Sequence, residues 1–90
     1  MDLTEACNVL HVDKGTNDDL ITALITAIPS YIATTTGLRE EHQYAEPLVD
    51  TVSGLLLKQW YYADHADDQA LSRTINSLLK VLSIRARNYE

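Results

Sequence analysis

Apolar residues recur at helical spacing in four stretches of this chain, and short polar segments separate the stretches. The first stretch predicts a short helix over residues 3–11. Asp2 and Glu5 have the spacing of a capping box, in which each side chain accepts a hydrogen bond from a free amide of the first turn. A helix of this length is marginal alone, so its stability depends on packing against the rest of the chain.

The second stretch is the most regular, and it predicts a long helix that begins after Thr16 or Asn17 as N-cap. Gly37 is suited to the left-handed residue that ends such a helix. Pro29 cannot donate to the carbonyl of Ile25, so we expect it to kink the helix or to divide it. The predicted buried face consists of Leu20, Ile21, Leu24, Ile25, Ile28, Tyr31 and Ile32.

Residues 38–45 are polar and charged, and they predict a connection. Pro47 suits the first turn of a long third helix, which we expect to end near Ala63. The acidic residues 64–68 predict a joint before a shorter fourth helix over residues 69–82. Alternating strand patterns are absent from the sequence. We therefore predict an all-α fold, a small bundle of about four helices, with one domain over residues 1–82 and a flexible C-terminal tail over residues 83–90.

The composition and charge of the chain disfavour some classes of partner. The chain has 90 residues, of which 46% are hydrophobic, and a net charge of −6. Its core is modest for this length, which favours self-association. Its lysines and arginines are scattered except for Arg85 and Arg87. Because binding to nucleic acid or to an anionic membrane needs clustered cations, both are disfavoured as partners.

The cysteine content and the first residues predict a compartment. Cys7 is the single cysteine, so no internal disulfide is expected. The chain starts with acidic residues where a signal peptide has positive ones, and no apolar run reaches membrane-spanning length. We expect the protein to be made in the cytoplasm.

Three groups of residues are candidates for chemistry, and each has a simpler interpretation. Cys7 lies near His11, but a buried structural thiol is the better interpretation because nothing cationic activates it. Glu40, Glu41 and His42 fit a solvated polar loop. The sequence therefore predicts no enzyme, no catalytic residue and no cofactor.

The acidic joint at Asp64, His65, Asp67 and Asp68 resembles a metal cluster only superficially. The glycine and the distal glutamate of a calcium loop are missing, and zinc requires more histidine or cysteine ligands. We expect that a chelator leaves the thermal midpoint unchanged. A drop of several degrees would contradict this prediction.

The densest aromatic cluster is Trp60, Tyr61 and Tyr62. Consecutive helical residues point about 100° apart, so the three side chains cannot share one face. Trp60 can join the core, and Tyr61 or Tyr62 then points to another helix, a partner or solvent. One interpretation is a protein interface, where such residues are enriched, and the other is closure of a small core. The sequence leaves both open.

The C-terminal residues Ile84, Arg85, Arg87 and Tyr89 are also interface candidates. The predicted tail has few apolar anchors, so it can be mobile in the free protein and become ordered against a partner. Alternatively, Ile84 and Tyr89 pack back on the domain. These alternatives are equally compatible with the sequence.

Several short motifs, taken in their order, resemble the head–tail connector family of tailed double-stranded DNA bacteriophages, also called head-completion or adaptor proteins. LHVD at residues 10–13 is similar to the family's L-x-V-D element. NDDLITALI at residues 17–25 is similar to its acid-led helix start. The other similar elements are YI at 31–32, TG at 36–37, LLL at 55–57, WY at 60–61, INSLL at 75–79 and IR at 84–85.

The resemblance implies a structural protein of the virion neck. Such a subunit forms a homo-oligomeric ring of about a dozen copies beneath the portal protein. The ring extends the DNA channel and binds the next tail, neck or stopper protein, and DNA passes without specific binding. The excess of acidic residues suits such a channel, since cations would retain the phosphates. The alternative is a small dimeric helical regulator that binds DNA or a partner protein.

Overall fold

The computed structural model describes residues 1–62 and 69–89. In these residues the regular structure is entirely helical, which confirms the predicted all-α class. The helices are α1 (Leu3–Leu10), α2 (Asp18–Thr36), α3 (Glu40–Gln43), α4 (Pro47–Tyr61) and α5 (Gln69–Ala86), followed by a 3-10 turn at Arg87–Tyr89.

The ends of the first two helices follow their capping residues. Asp2 Oδ1 accepts a hydrogen bond from the backbone N–H of Glu5 at 2.8 Å, as the first half of the predicted capping box requires. Gly37 ends α2 with a φ of 82°, in the left-handed region that favours glycine. Asn17 precedes α2 but makes no side-chain cap. Instead, Asp18 Oδ1 accepts from the N–H of Gly15 at 2.7 Å and closes the preceding loop.

Pro29 does not divide α2, which continues from Asp18 to Thr36. The expected division is therefore wrong. Ile28 and Ile32, which flank the proline, are both buried, and their packing holds this part of the helix against the core. The amide of Gln43 lies beside the proline, and its Nε2 donates to the carbonyl oxygen of Pro29 at 2.9 Å.

The predicted connection over residues 38–45 is more structured than a solvated loop. It contains the short helix α3, and Leu38 is completely buried. Gln43 is also buried, and its Nε2 donates to the carbonyl oxygen of Leu38 at 3.0 Å. The segment was predicted as a loop because its sequence is polar, but one apolar residue and one amide anchor it to the core.

The core lies between α2 and the helices that pack around it, α1, α4 and α5. Gly54 faces α1, where an added Cβ would be 3.9 Å from Cγ1 of Val9, an ordinary van der Waals distance, so the helix crossing does not require glycine there. The largest fully buried side chains are Leu10, Ile21, Ile32, Leu38, Val52, Leu56, Leu57 and Leu82.

The C-terminal segment differs from the predicted tail. Helix α5 does not end at Leu82 but continues to Ala86, which is buried, and the 3-10 turn extends to Tyr89. The predicted end of the fourth helix at Leu82 is therefore wrong. The helix continues because Leu82 and Ala86 lie four residues apart on the same buried face.

Candidate interaction surfaces

Trp60 joins the core of the bundle, as one interpretation of the aromatic cluster required. Its partly buried side chain packs against the buried residues. Its ring meets the ring of Tyr31 edge to face, with the centroids 5.2 Å apart and the planes at 89°. Trp60 thus links the end of α4 to α2.

Tyr61 and Tyr62 connect the end of α4 to the loop between α1 and α2. Tyr61 Oη accepts from Asn17 Nδ2 at 2.7 Å. Tyr62 Oη donates to the carbonyl oxygen of Leu10 at 2.6 Å. Their rings contact each other edge to face at 4.9 Å. Both hydroxyls therefore have partners inside the domain, which favours the interpretation that this cluster closes the core.

Removing the hydroxyl of Tyr62 tests this internal role. We expect Tyr62→Phe to lower the free energy of unfolding by about 1 kcal/mol, because the carbonyl of Leu10 loses its donor. Urea unfolding of Tyr62→Phe and of the control Tyr44→Phe measures the effect. Tyr44 is 90% exposed, so removing its hydroxyl should leave the free energy of unfolding unchanged. Unchanged stability with weakened self-association would restore the interface interpretation for Tyr62.

A second cluster, the Glu46 cluster, fixes the C-terminal turn. The carboxylate of Glu46 is buried, with 6% of its side chain exposed. Its Oε2 accepts from Arg85 Nη1 at 3.2 Å, and its Oε1 accepts from the hydroxyl of Tyr89 at 3.0 Å. The ring of His42 stacks on that of Tyr89 with centroids 4.6 Å apart. Tyr89 therefore packs back on the domain, as that alternative predicted, whereas Ile84, which the same alternative also placed against the domain, is 57% exposed.

The Glu46 cluster gives Tyr89 a distinct alkaline titration. The hydrogen bond from its hydroxyl to Glu46, together with partial burial and the carboxylate charge, raises the pKa of Tyr89 above the ordinary 10.0. A raised folded-state pKa stabilises the fold below pH 10, and this contribution is lost as pH rises through the folded pKa. Ultraviolet titration should show a late component above pH 10 that Tyr89→Phe removes. Loss of an early-titrating tyrosine in that variant would contradict the assignment.

Other large side chains point outward. Ile84 is 57% exposed and Leu20 is 51% exposed, while Arg87 is also exposed. Of the predicted C-terminal interface residues, Ile84 and Arg87 are thus accessible to a partner. The sequence assigned Leu20 to the buried face of α2, and it gave no sign of Tyr44, which lies in the polar segment. Both are additional candidates for contacts.

The residues that the sequence offered as candidates for chemistry are not arranged as a catalytic or metal site in the described residues. Cys7 is buried, as the structural interpretation predicts. His42 Nε2 lies 3.9 Å from Glu41 Oε1 at the surface. Among residues 1–62 and 69–89, no three His, Cys, Asp or Glu side chains come together as possible metal ligands. The acidic joint at residues 64–68 lies outside the described residues, so the chelator result stays a prediction.

Comparison with known proteins finds no matching family model, no matching curated protein and no matching solved structure. Within the described residues, no helix is both long and apolar enough to cross a membrane.

Proposed function

We propose that this chain is a structural head–tail connector subunit of a tailed bacteriophage or prophage. In this role it forms a ring beneath the portal protein in the virion neck and extends the DNA channel. The ring then binds the next neck or tail component. Its work is assembly through protein surfaces, and no chemical step is part of the proposal.

The observation that carries the proposal is the order of the family-like motifs along an all-helical chain. LHVD at residues 10–13 covers the end of α1, and NDDLITALI at residues 17–25 opens α2. TG at residues 36–37 closes α2, and WY at residues 60–61 closes α4. Four of the eight motifs that resemble the family therefore fall where this fold changes direction, and the other four lie inside α2, α4 and α5. The points of direction change determine a bundle's topology.

The accessible surface and the charge give further support. Ile84, Leu20 and Tyr44 are large and exposed on a small chain, which suits a subunit with several neighbours. The net charge of −6 suits a channel wall, because an acidic surface does not retain a moving phosphate backbone.

Binding to a portal tests the proposal. The portal protein encoded near this gene should be co-expressed with the chain and purified by a tag on the portal. We expect a stable complex in which electron microscopy shows an added ring of density below the portal. A portal from an unrelated phage is the matched control. Absence of binding to the neighbouring portal, or the absence of portal and capsid genes near this one, would contradict the proposal.

The alternative is a small dimeric regulator that binds DNA or a partner protein. One observation favours it, namely that α5 holds Arg73, Lys80 and Arg85 and no acidic residue. A regulator should bind duplex DNA at low salt as a dimer and should ignore the portal. Fluorescence anisotropy with labelled duplex DNA separates the two functions.

A further inference from the structure

The charge of the chain is distributed very unequally. All 13 acidic residues lie outside residues 69–89, and that segment holds four of the seven lysines and arginines. Arg85 is used inside the domain by the Glu46 cluster. The remaining cations, Arg73, Lys80 and Arg87, form no ion pair with any carboxylate in the described residues. The C-terminal part of this acidic protein therefore presents free positive charge.

The geometry of α5 aligns these three residues. They are spaced seven residues apart, and seven residues make almost two helical turns, about 10 Å along the axis. Arg73 and Lys80 therefore lie in one row on the exposed side of α5, and Arg87 follows at the same interval in the 3-10 turn. These cations are far apart in the sequence, but the helical structure brings them to the same side of the molecule.

Apolar side chains border the cationic row. Ile84 is 57% exposed and Val81 is 39% exposed, and both lie on the outward side of α5. Ser77 and Ala70, also exposed, continue this side toward the start of the helix. We call this surface the α5 face. It combines positive charge with aliphatic side chains, and none of the described residues on it carries a carboxylate.

The exposed side of α2 has the opposite character. Helix α2 starts with Asp18 and Asp19 and contains no lysine or arginine. Leu20 and Tyr31 are exposed on it by 51% and 40%. We call this surface the α2 face; Asp19, about 100° around the helix axis from Leu20, lies at its edge. Leu20 and Tyr31 are eleven residues apart, about 16 Å along the axis, so the α2 face matches in length the part of the α5 face between Arg73 and Ile84.

We propose that the α5 face of one copy binds the α2 face of the next copy, in a head-to-tail contact between identical chains. Opposite charges and apolar side chains are then matched across the contact, while each face repels a second copy of itself or gains little from it. The contact is heterologous, so every copy keeps one free face and can add a neighbour. The inference deepens the proposed function by assigning the surfaces of its ring.

Duplex DNA is a poorer occupant of the α5 face. A phosphate backbone would use the three cations, but it gains nothing from the exposed Ile84 and Val81. The net charge of −6 would also repel it. A protein surface that carries both carboxylates and apolar groups would contact the cations and the aliphatic side chains of the α5 face together.

Charge reversal on the α5 face is the first test. Sedimentation equilibrium at low salt should show self-association of the wild type, and the variant R73E/K80E should weaken it at least about tenfold. The control K14E/K58E makes the same change in net charge at exposed positions that belong to neither face. It should weaken association by less than about threefold. Equal losses in the two variants would contradict the inference, as would a wild type that stays monomeric at about 1 mM.

Mixing two defective variants tests the head-to-tail arrangement. Leu20→Lys puts a cation on the exposed α2 face and should also abolish association. R73E/K80E keeps an intact α2 face, and Leu20→Lys keeps an intact α5 face. An equimolar mixture should therefore form a heterodimer and nothing larger, as measured by native mass spectrometry. Absence of the heterodimer, with circular dichroism showing both variants folded, would overturn the inference.

Three further outcomes distinguish a failure of this inference from a failure of the proposed connector function. If the variants still bind the portal and each other normally, the faces are wrong and the connector function stands. If the wild type instead binds duplex DNA and R73E/K80E loses that binding, the α5 face is a nucleic-acid surface and the inference fails. If association depends on both faces but no portal is bound, the contact is correct and the connector function fails.

Discussion

Removing residues 83–90 is expected to lower the free energy of unfolding by about 3 kcal/mol or more, because Glu46 then keeps a buried charge without its partner. The truncation also removes Ala86 from the core. The expected loss lies at the low end of the range for breaking a buried ion pair, because the side chain of Arg85 is half exposed. Such a loss is a large share of the stability of a small domain. Urea unfolding followed by circular dichroism measures it.

A neutral residue at position 46 provides the control. In the truncated chain, Glu46→Gln should recover part of the lost stability, because the uncompensated charge is gone. In the full chain, the same substitution should instead destabilise, because the ion pair with Arg85 is lost and a single amide oxygen cannot accept from Arg85 and Tyr89 as the two carboxylate oxygens do. Opposite signs in the two backgrounds identify the ion pair as the cause. A truncated chain that keeps its full stability but loses portal binding would support the flexible tail instead.

The helices could be predicted because their apolar positions repeat locally. Leu20 to Ile32 in α2 give such a repeat, and Gly37 marks its end, so the prediction needed no distant residue. The end of α5 was missed because Ala86 is a weak apolar signal and because the residue that fixes this end, Glu46, is 39 positions from Arg85. Periodicity carries no information about such a partner.

The surfaces were predictable only in part. The turn of about 100° per residue correctly separated Trp60 from its neighbours. It could not show that the hydroxyls of Tyr61 and Tyr62 meet Asn17 and Leu10, because those contacts join different helices. In the same way, the row of Arg73, Lys80 and Arg87 is visible only when the extent of α5 is known, since the predicted tail ended the helix at Leu82.

The second large effect is expected at Gln43, whose buried amide donates to the carbonyl oxygens of Pro29 and Leu38. In Gln43→Glu at neutral pH, a carboxylate would face these two acceptors without a donor. We expect a loss of about 3 kcal/mol or more, measured by urea unfolding at pH 7, because a buried charge is added and two hydrogen bonds are lost.

The pH dependence of this variant separates charge from shape. Burial beside two carbonyl oxygens should raise the folded-state pKa of the introduced carboxyl above its usual value of about 4.3. A raised folded pKa means that the fold is favoured below the unfolded value and loses stability as pH rises through the folded one. The deficit relative to wild type should therefore shrink at acidic pH, where a protonated carboxyl can donate one hydrogen bond.

Gln43→Met is the matched control, because it keeps the length of the side chain and removes both donors without adding charge. We expect a loss of about 1–3 kcal/mol that does not change between pH 4 and pH 7 relative to wild type. The difference between the two variants at neutral pH then measures the buried charge alone. Equal losses with the same pH profile would mean that the side chain at position 43 reaches solvent, and that the segment between α2 and α4 is a loop, as its polar sequence first indicated.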